Sequence, residues 1–258
     1  MRDHAYAAPL FGSMPPVVDL SAACPPVYQQ GALESCSGNA IAAAIQFERM
    51  RQGFANSGYV PSRLFIYYNE RDIEGTVDGD SGAQLRDGIK SVASLGDCFE
   101  TGPDAWPYVI ARFKDRPSPG CYASARKDRT VSYSRLVPTL DQLKGCLASG
   151  YPFIFGMTAY ESFESPAVAR AGIVPMPVHG ERVAGGHAAM AVGYRDDQQR
   201  FIVRNSWGRG WGMAGYFTIP YAYLLTPGLS GDFWTIRLMS AATLAATPRS
   251  PIRRPESA

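Results

Sequence analysis

The apolar pattern of this chain changes period about halfway along, and that change limits the fold more than any other feature. Up to about residue 130 the pattern is helical. In "CSGNAIAAAIQFERMRQ", Ile41, Ala44, Ile45 and Glu48 set a helical period, Ser35 precedes the segment as a cap, and Gly53 ends it near Gln52. Pro61 and Ser62 open a second apolar stretch, "RLFIYYNERD". In "AQLRDGIKSVASLG", Leu85, Ile89 and Val92 share one face and Gly96 is the stop. Thr139, with Gln142 three residues on, forms a capping box for a short fourth helix. The second half then reads as strands. "YPFIFGMT", "AAMAVGY", "RFIVRN", "GYFTIP" and "DFWTIR" are short, aromatic and β-branched, and bounded by turns. Helices first and strands later predict an α+β protein of two lobes, helical over about 30–130 and β-rich over about 131–243, with a site between them. The ends, 1–14 and 244–258, are proline-interrupted and are expected to be irregular tails, the second disordered.

A chain of 258 residues is long enough to bury a sizeable core as one domain or two fused lobes. Its 25 basic and 23 acidic residues nearly cancel, so charge gives no argument for nucleic acid. No apolar run approaches the roughly 20 residues that cross a bilayer, and no membrane partner is expected. The start, "MRDHAYAAPLFGSMPP", lacks the apolar core of a signal peptide, which predicts a cytoplasmic protein with signal-less export left open. Cys24, Cys36, Cys98, Cys121 and Cys146 are odd in number and irregularly spaced. They do not read as a disulfide framework, and without a CxxC they do not suggest zinc; neither metal nor cofactor is expected.

Cys36 stands where a loop enters the first helix. Unpaired N–H groups there favour negative charge, which would lower the thiol pKa and make a better nucleophile. Such a cysteine needs a base. Of three histidines, His4 lies in the tail and His179 in a loop, whereas His187 in "AGGHAAMAVGY" stands at the mouth of a predicted strand after two glycines. The base in turn needs an orienting group. In "FIVRNSWGRGWGMAGYFTI", Asn205 ends a strand and offers an amide oxygen to the imidazole, with Trp207 and Trp211 placed to exclude water. Gln30, six residues before Cys36 and followed by Gly31, can fold back as an oxyanion donor beside the Cys36 N–H.

In this order, Gln30, Cys36, His187 and Asn205, the sequence resembles the papain-like cysteine peptidases, particularly bacterial members with a short N-terminal region. The likeness runs from "PPVVDLSAACPPVYQQG" to "NSWGRGWGMAGYFTI" and is most specific in the latter. It implies a helical lobe and a β-rich lobe around a cleft. It also implies a peptide or protein substrate, a monomer, and acyl transfer to water through a Cys36–His187 ion pair. The "DGDSGAQ" loop would hold peptide, so Ser81 and Gly82 are expected substrate contacts, joined by Glu34, Gly186 and Trp207.

The departures lie around the nucleophile. Leu33 replaces a cysteine that normally forms a bridge, Ser37 replaces an aromatic, and Glu34 replaces a glycine at the edge of a substrate pocket, where a carboxylate would favour Lys or Arg. Asn205 falls 169 residues after Cys36, beyond the roughly 130–150 expected, and the excess is assigned to insertions such as "SPAVARAGIVPMPVHGERVAGG". Two rival readings are a transglutaminase-like acyltransferase, which usually orients its histidine with Asp, and a binding module without turnover. Residues 1 to about 13, with Tyr6, Leu10 and Phe11, are expected over or near the cleft as a short regulatory segment.

Overall fold

The computed structural model describes residues 4–7, 13–53, 60–128 and 131–238. Helix α1 (Cys36–Arg51) lies between the two lobes. From Ser37 to Glu48 every residue is buried, so the helical period expected from Ile41 to Glu48 marks no exposed face. The alanines explain how it fits. Small side chains let the helix approach α2 (Arg63–Glu74) and α3 (Leu85–Leu95) on one side and the sheet on the other. A Cβ at Gly38 would lie 2.8 Å from the Arg63 carbonyl oxygen, so only glycine allows this α1–α2 contact.

The helical lobe also carries α4 (Pro119–Ala125). The β lobe is an antiparallel sheet in the order β2 (Val131–Arg135), β7 (Ser230–Leu238), β3 (Phe153–Tyr160), β4 (Val183–Arg195), β5 (Arg200–Arg204), β6 (Tyr216–Pro220). A short β1 (Val17–Asp19) pairs with the end of β4, so the chain starts in the β lobe before crossing to the helical one. Helices α5 (Leu140–Ala148), α6 (Pro166–Ala171) and α7 (Tyr221–Leu225) flank the sheet. Thr139 caps α5 as expected, accepting from the Gln142 N–H. The "SPAVARAGIVPMPVHGERVAGG" segment is α6, a loop whose Ile173 bridges Thr218, and the start of β4.

Strand β4 decides how the lobes join. Its central residues are buried on both faces: Ala188, Met190 and Val192 pack toward α1, while Ala189 and Ala191 enter the β-lobe core. That is the period of two of a strand, used to serve two cores at once. A third core fills the helical lobe around Leu33, Phe65, Tyr67 and Trp106.

Two expectations change here. Cys98 and Cys121 form a disulfide within this third core, although the cysteine pattern does not suggest a framework. The partners are 23 residues apart and meet only because the segment after α3 folds back beside α4. Cys24, Cys36 and Cys146 are free. In the N-terminal segment, the described residues 4–7 lie along the edge strand β2. Arg135 donates its N–H to His4 O, Tyr6 donates to Arg135 O, and the Tyr6 ring packs on the β-lobe core, away from the position expected over the cleft. Leu10, Phe11 and the tail from 244 lie outside the described residues.

Candidate active site

A cleft of about 680 Å³ is lined by Gln30, Glu34, Cys36, Ser81, Gly82, Gly186, His187 and Trp207, which brings together eight of the nine residues singled out in the sequence. The ninth, Asn205, is buried behind His187.

Cys36 is the first residue of α1. Ser35 is the N-cap by position, but its hydroxyl makes no capping bond; it bonds instead to the Tyr108 hydroxyl at 2.5 Å and receives Asn39 Nδ2 at 3.1 Å. Tyr108 in turn donates its hydroxyl to Gln30 O at 2.8 Å. The cap residue thus links the helix start to the Gln30 segment. That segment is also bonded to the β lobe: Gln30 N donates to Ser206 O at 2.8 Å, and Gly208 N donates to Tyr28 O at 2.9 Å. Gln30 Oε1 accepts the Ser206 hydroxyl at 2.6 Å, and the amide orientation is fixed by its other end, which faces the Leu33 carbonyl oxygen and so must be the nitrogen. Its Nε2 donates to Leu33 O at 2.9 Å and keeps a second N–H for a ligand.

His187 is the fifth residue of β4, inside the strand and paired with Met157 of β3, not at its mouth. Its Nε2 lies 2.9 Å from Asn205 Oδ1. The same oxygen accepts the Ser206 N–H at 2.8 Å, so the amide orientation is settled and Nε2 must be the donor. Nδ1 is then the imidazole nitrogen without a proton. Rings seal this contact. Trp207 lies 4.9 Å from His187 between centroids, Phe163 lies 5.5 Å from it, and Trp211 packs 5.2 Å from Trp207.

The lowered thiol pKa expected at the helix start does not hold for Cys36 taken singly. Burial pushes the thiol up to about 11; the N–H groups of Ala188 and Ser37 oppose the shift, and the carboxylates of Glu70 and Glu34 add to it. Burial pushes His187 down to about 4, against the Asn205 hydrogen bond. Desolvation outweighs the helix end because it acts on a whole charge, whereas the helix end supplies only partial ones. A proton passed from sulfur to imidazole would make two opposite charges together in a water-poor cleft, where their attraction offsets the burial cost.

Two contributors were not singled out by sequence reasoning. Ser206 serves both Gln30 and Asn205. Its place between Asn205 and Trp207 in "NSW" was the available signal. Phe163 sits in "ESFESP", where nothing local separates it from any other loop aromatic.

A thiol and a histidine–asparagine pair across a cleft between a helical and a β lobe define a class, the two-lobed thiol hydrolases. The sequence profile of the papain family cysteine proteases matches residues 22–224. An uncharacterised peptidase C1-like protein of Acanthamoeba polyphaga mimivirus is 44% identical over 216 residues, covering 81% of this chain and 68% of its own. The crystal structure of xylellain, a cysteine protease from Xylella fastidiosa, superposes with a TM-score of 0.83 at 41% identity over 92% of each chain. Digestive procathepsin L 3 of Tenebrio molitor shares the fold at 16% identity, with a TM-score of 0.67 over 92% of this chain and 74% of its own. The chain belongs to the papain family of cysteine proteases.

Proposed function

We propose that this protein is an endopeptidase with Cys36 as nucleophile, His187 as base and acid, Asn205 as the group that orients His187, and Gln30 as oxyanion donor. One observation carries the reading. The 2.9 Å contact from His187 Nε2 to Asn205 Oδ1 commits that nitrogen and leaves Nδ1 for the sulfur in the shared cleft. Cys36 passes its proton to Nδ1 and attacks the peptide carbonyl. The second Gln30 N–H and the Cys36 N–H receive the developing oxyanion. His187 returns the proton to the leaving amine, then draws one from water to release the acyl group. Both halves of the site come from one chain, which supports a monomer.

Glu34, Glu164 and Asp232 line this cleft, and among the described residues no Lys or Arg does, which supports substrates with basic side chains. Digestion of an unfolded protein followed by mass spectrometry tests the reading. Internal cuts enriched beside Lys or Arg are expected, with loss of cutting once Cys36 is alkylated. Release of terminal residues alone would overturn the endopeptidase mode.

We also propose that the protein works outside the reducing cytoplasm, because the Cys98–Cys121 disulfide needs an oxidising compartment to persist. Three titratable thiols in protein isolated without reductant are expected. Five would restore the cytoplasmic reading.

A further inference from the structure

Helix α2 carries Tyr67, Arg71 and Glu74 at intervals of four and three, one face of a helix. All three hold the same loop, residues 75–84. Arg71 is fully buried. Its guanidinium donates to Val77 O at 3.0 Å, Gly79 O at 2.8 Å and Phe113 O at 2.5 Å, while its Nε returns to Tyr67 O at 3.1 Å. Glu74 Oε1 accepts the Gln84 N–H at 2.7 Å, which ties down the far end of the loop. Tyr67 donates its hydroxyl to Asp80 Oδ1 at 2.5 Å. Asp80 then reaches across the cleft wall, and its two oxygens accept the Glu34 N–H at 3.1 and 3.2 Å. Glu34 is two residues before Cys36, and Ser81 and Gly82 directly follow Asp80. The side chain of Leu33, where the family's usual pattern places a bridging cysteine, is buried in the helical-lobe core. A charged hydrogen bond therefore joins these two loops.

From this we infer that Asp80 is a positioning residue for substrate. Its carboxylate keeps the loop carrying Ser81 and Gly82 in register with the Glu34–Cys36 loop, so that a peptide held on the first presents its carbonyl to the sulfur on the second. The inference rests on the peptidase reading above. Asp80 acts here through backbone placement, not by contact with the peptide, and the α2 stripe is what makes the loop rigid enough to pass that placement on.

The test compares Asp80→Ala, Asp80→Asn and Tyr67→Phe on two fluorogenic peptides, one neutral and one arginine-bearing, alongside the alkylation rate of Cys36 by iodoacetamide. Iodoacetamide needs the sulfur and His187 but no peptide wall. Expected for Asp80→Ala is a KM about tenfold higher on both peptides, the loss of a hydrogen bond to a charged group, with alkylation unchanged within about twofold. Asp80→Asn keeps an acceptor oxygen and should recover most of the loss. Tyr67→Phe lies outside the cleft lining and should raise KM by about two- to threefold in the same manner, which keeps the test alive should Asp80→Ala fail to fold. An unchanged KM in Asp80→Ala and Tyr67→Phe overturns the inference. So does alkylation that slows in step with turnover. A loss confined to the arginine peptide and equal in Asp80→Asn and Asp80→Ala would make Asp80 a charge contact instead. A wild-type protein that turns over neither peptide defeats the peptidase reading itself, a separate result.

Discussion

The two lobes hold their halves of the site by different means. On the helical side the fixings are polar. Ser35, Tyr108 and Asn39 are hydrogen-bonded around the start of α1, Arg63 makes a two-pronged contact with Glu100, and Ser37 donates to the fully buried Glu70 at 2.5 Å. On the β side the fixings are rings: Phe163, Trp207, Trp211 and Phe217 pack in tilted and edge-to-face pairs around the hydrogen bond of His187 to Asn205. The difference follows from what each half must present. The nucleophile sits at a helix end whose exposed backbone groups take part in the chemistry, and backbone is best held by hydrogen bonds. The base is a side chain that needs one acceptor and no water, and rings exclude water over a large area.

If the lobes divide the work in this way, substitutions on each side should fail differently. The largest effect is expected from Cys36→Ala. Turnover should drop by about 10⁵–10⁶-fold while the melting curve barely moves, since one small side chain replaces another. Near-normal turnover would put the nucleophile elsewhere. On the ring side, Phe163→Ala should cost about 3–5 kcal/mol of stability in denaturant titration, the price of an aromatic-sized cavity. A loss below about 1 kcal/mol would mean that the rings do not carry the β half. On the polar side, Gln30→Ala should lower kcat by about 10²–10³ with little change in stability. A large fall in stability there would erase the contrast.

Glu70 offers a finer test of the polar lobe through pH. Burial raises its carboxyl from 4.5 to about 8, with the Ser37 hydrogen bond pulling the other way. Between those values the folded chain holds a proton that the unfolded chain has released, so stability falls as pH rises from about 5 to about 8. Glu70→Gln removes the titration. Its melting temperature should match wild type near pH 5 and exceed it above pH 8, by an amount equivalent to a few kcal/mol. Parallel curves would remove Glu70 from the account. The smallest effect is expected from Ser206→Ala, which frees the Gln30 amide to turn. Its kcat should fall about tenfold, with no further loss when Gln30 is already alanine. Additive losses would mean that Ser206 acts apart from Gln30.

Much of this architecture was legible in the sequence because it is local. The caps at Ser62 and Thr139, the stop at Gly96 and the five strand runs depend on residues a few positions apart. The site was legible because Gln30, Cys36, His187 and Asn205 fall in a recurrent order beside "NSWGRGWG". The short strands β1 and β2 and the helices α4, α6 and α7 were not, since three to seven residues carry too little periodicity to separate them from loop. The burial of α1 on every side was not legible either, for a different reason. Ile41 and Ile45 are spaced as on an amphipathic helix, but helices on one side and a sheet on the other leave no side for solvent.

By itself the sequence determined the α+β order, the cleft between two lobes and the identity of the residues on its walls, because these follow from period, turn chemistry and motif. Tertiary structure alone decided the Cys98–Cys121 bond, the Phe163 shield, the tie from Ser206 to Gln30 and the link from Asp80 to Glu34. Each joins residues separated by 23 to 176 positions, and nothing in the local chemistry of either partner names the other. The protonation of the site belongs with them. A helix start lowers a thiol's pKa by rule, but how much water the folded lobes leave around Cys36 and His187 sets the direction of the shift, and that depends on packing the whole chain.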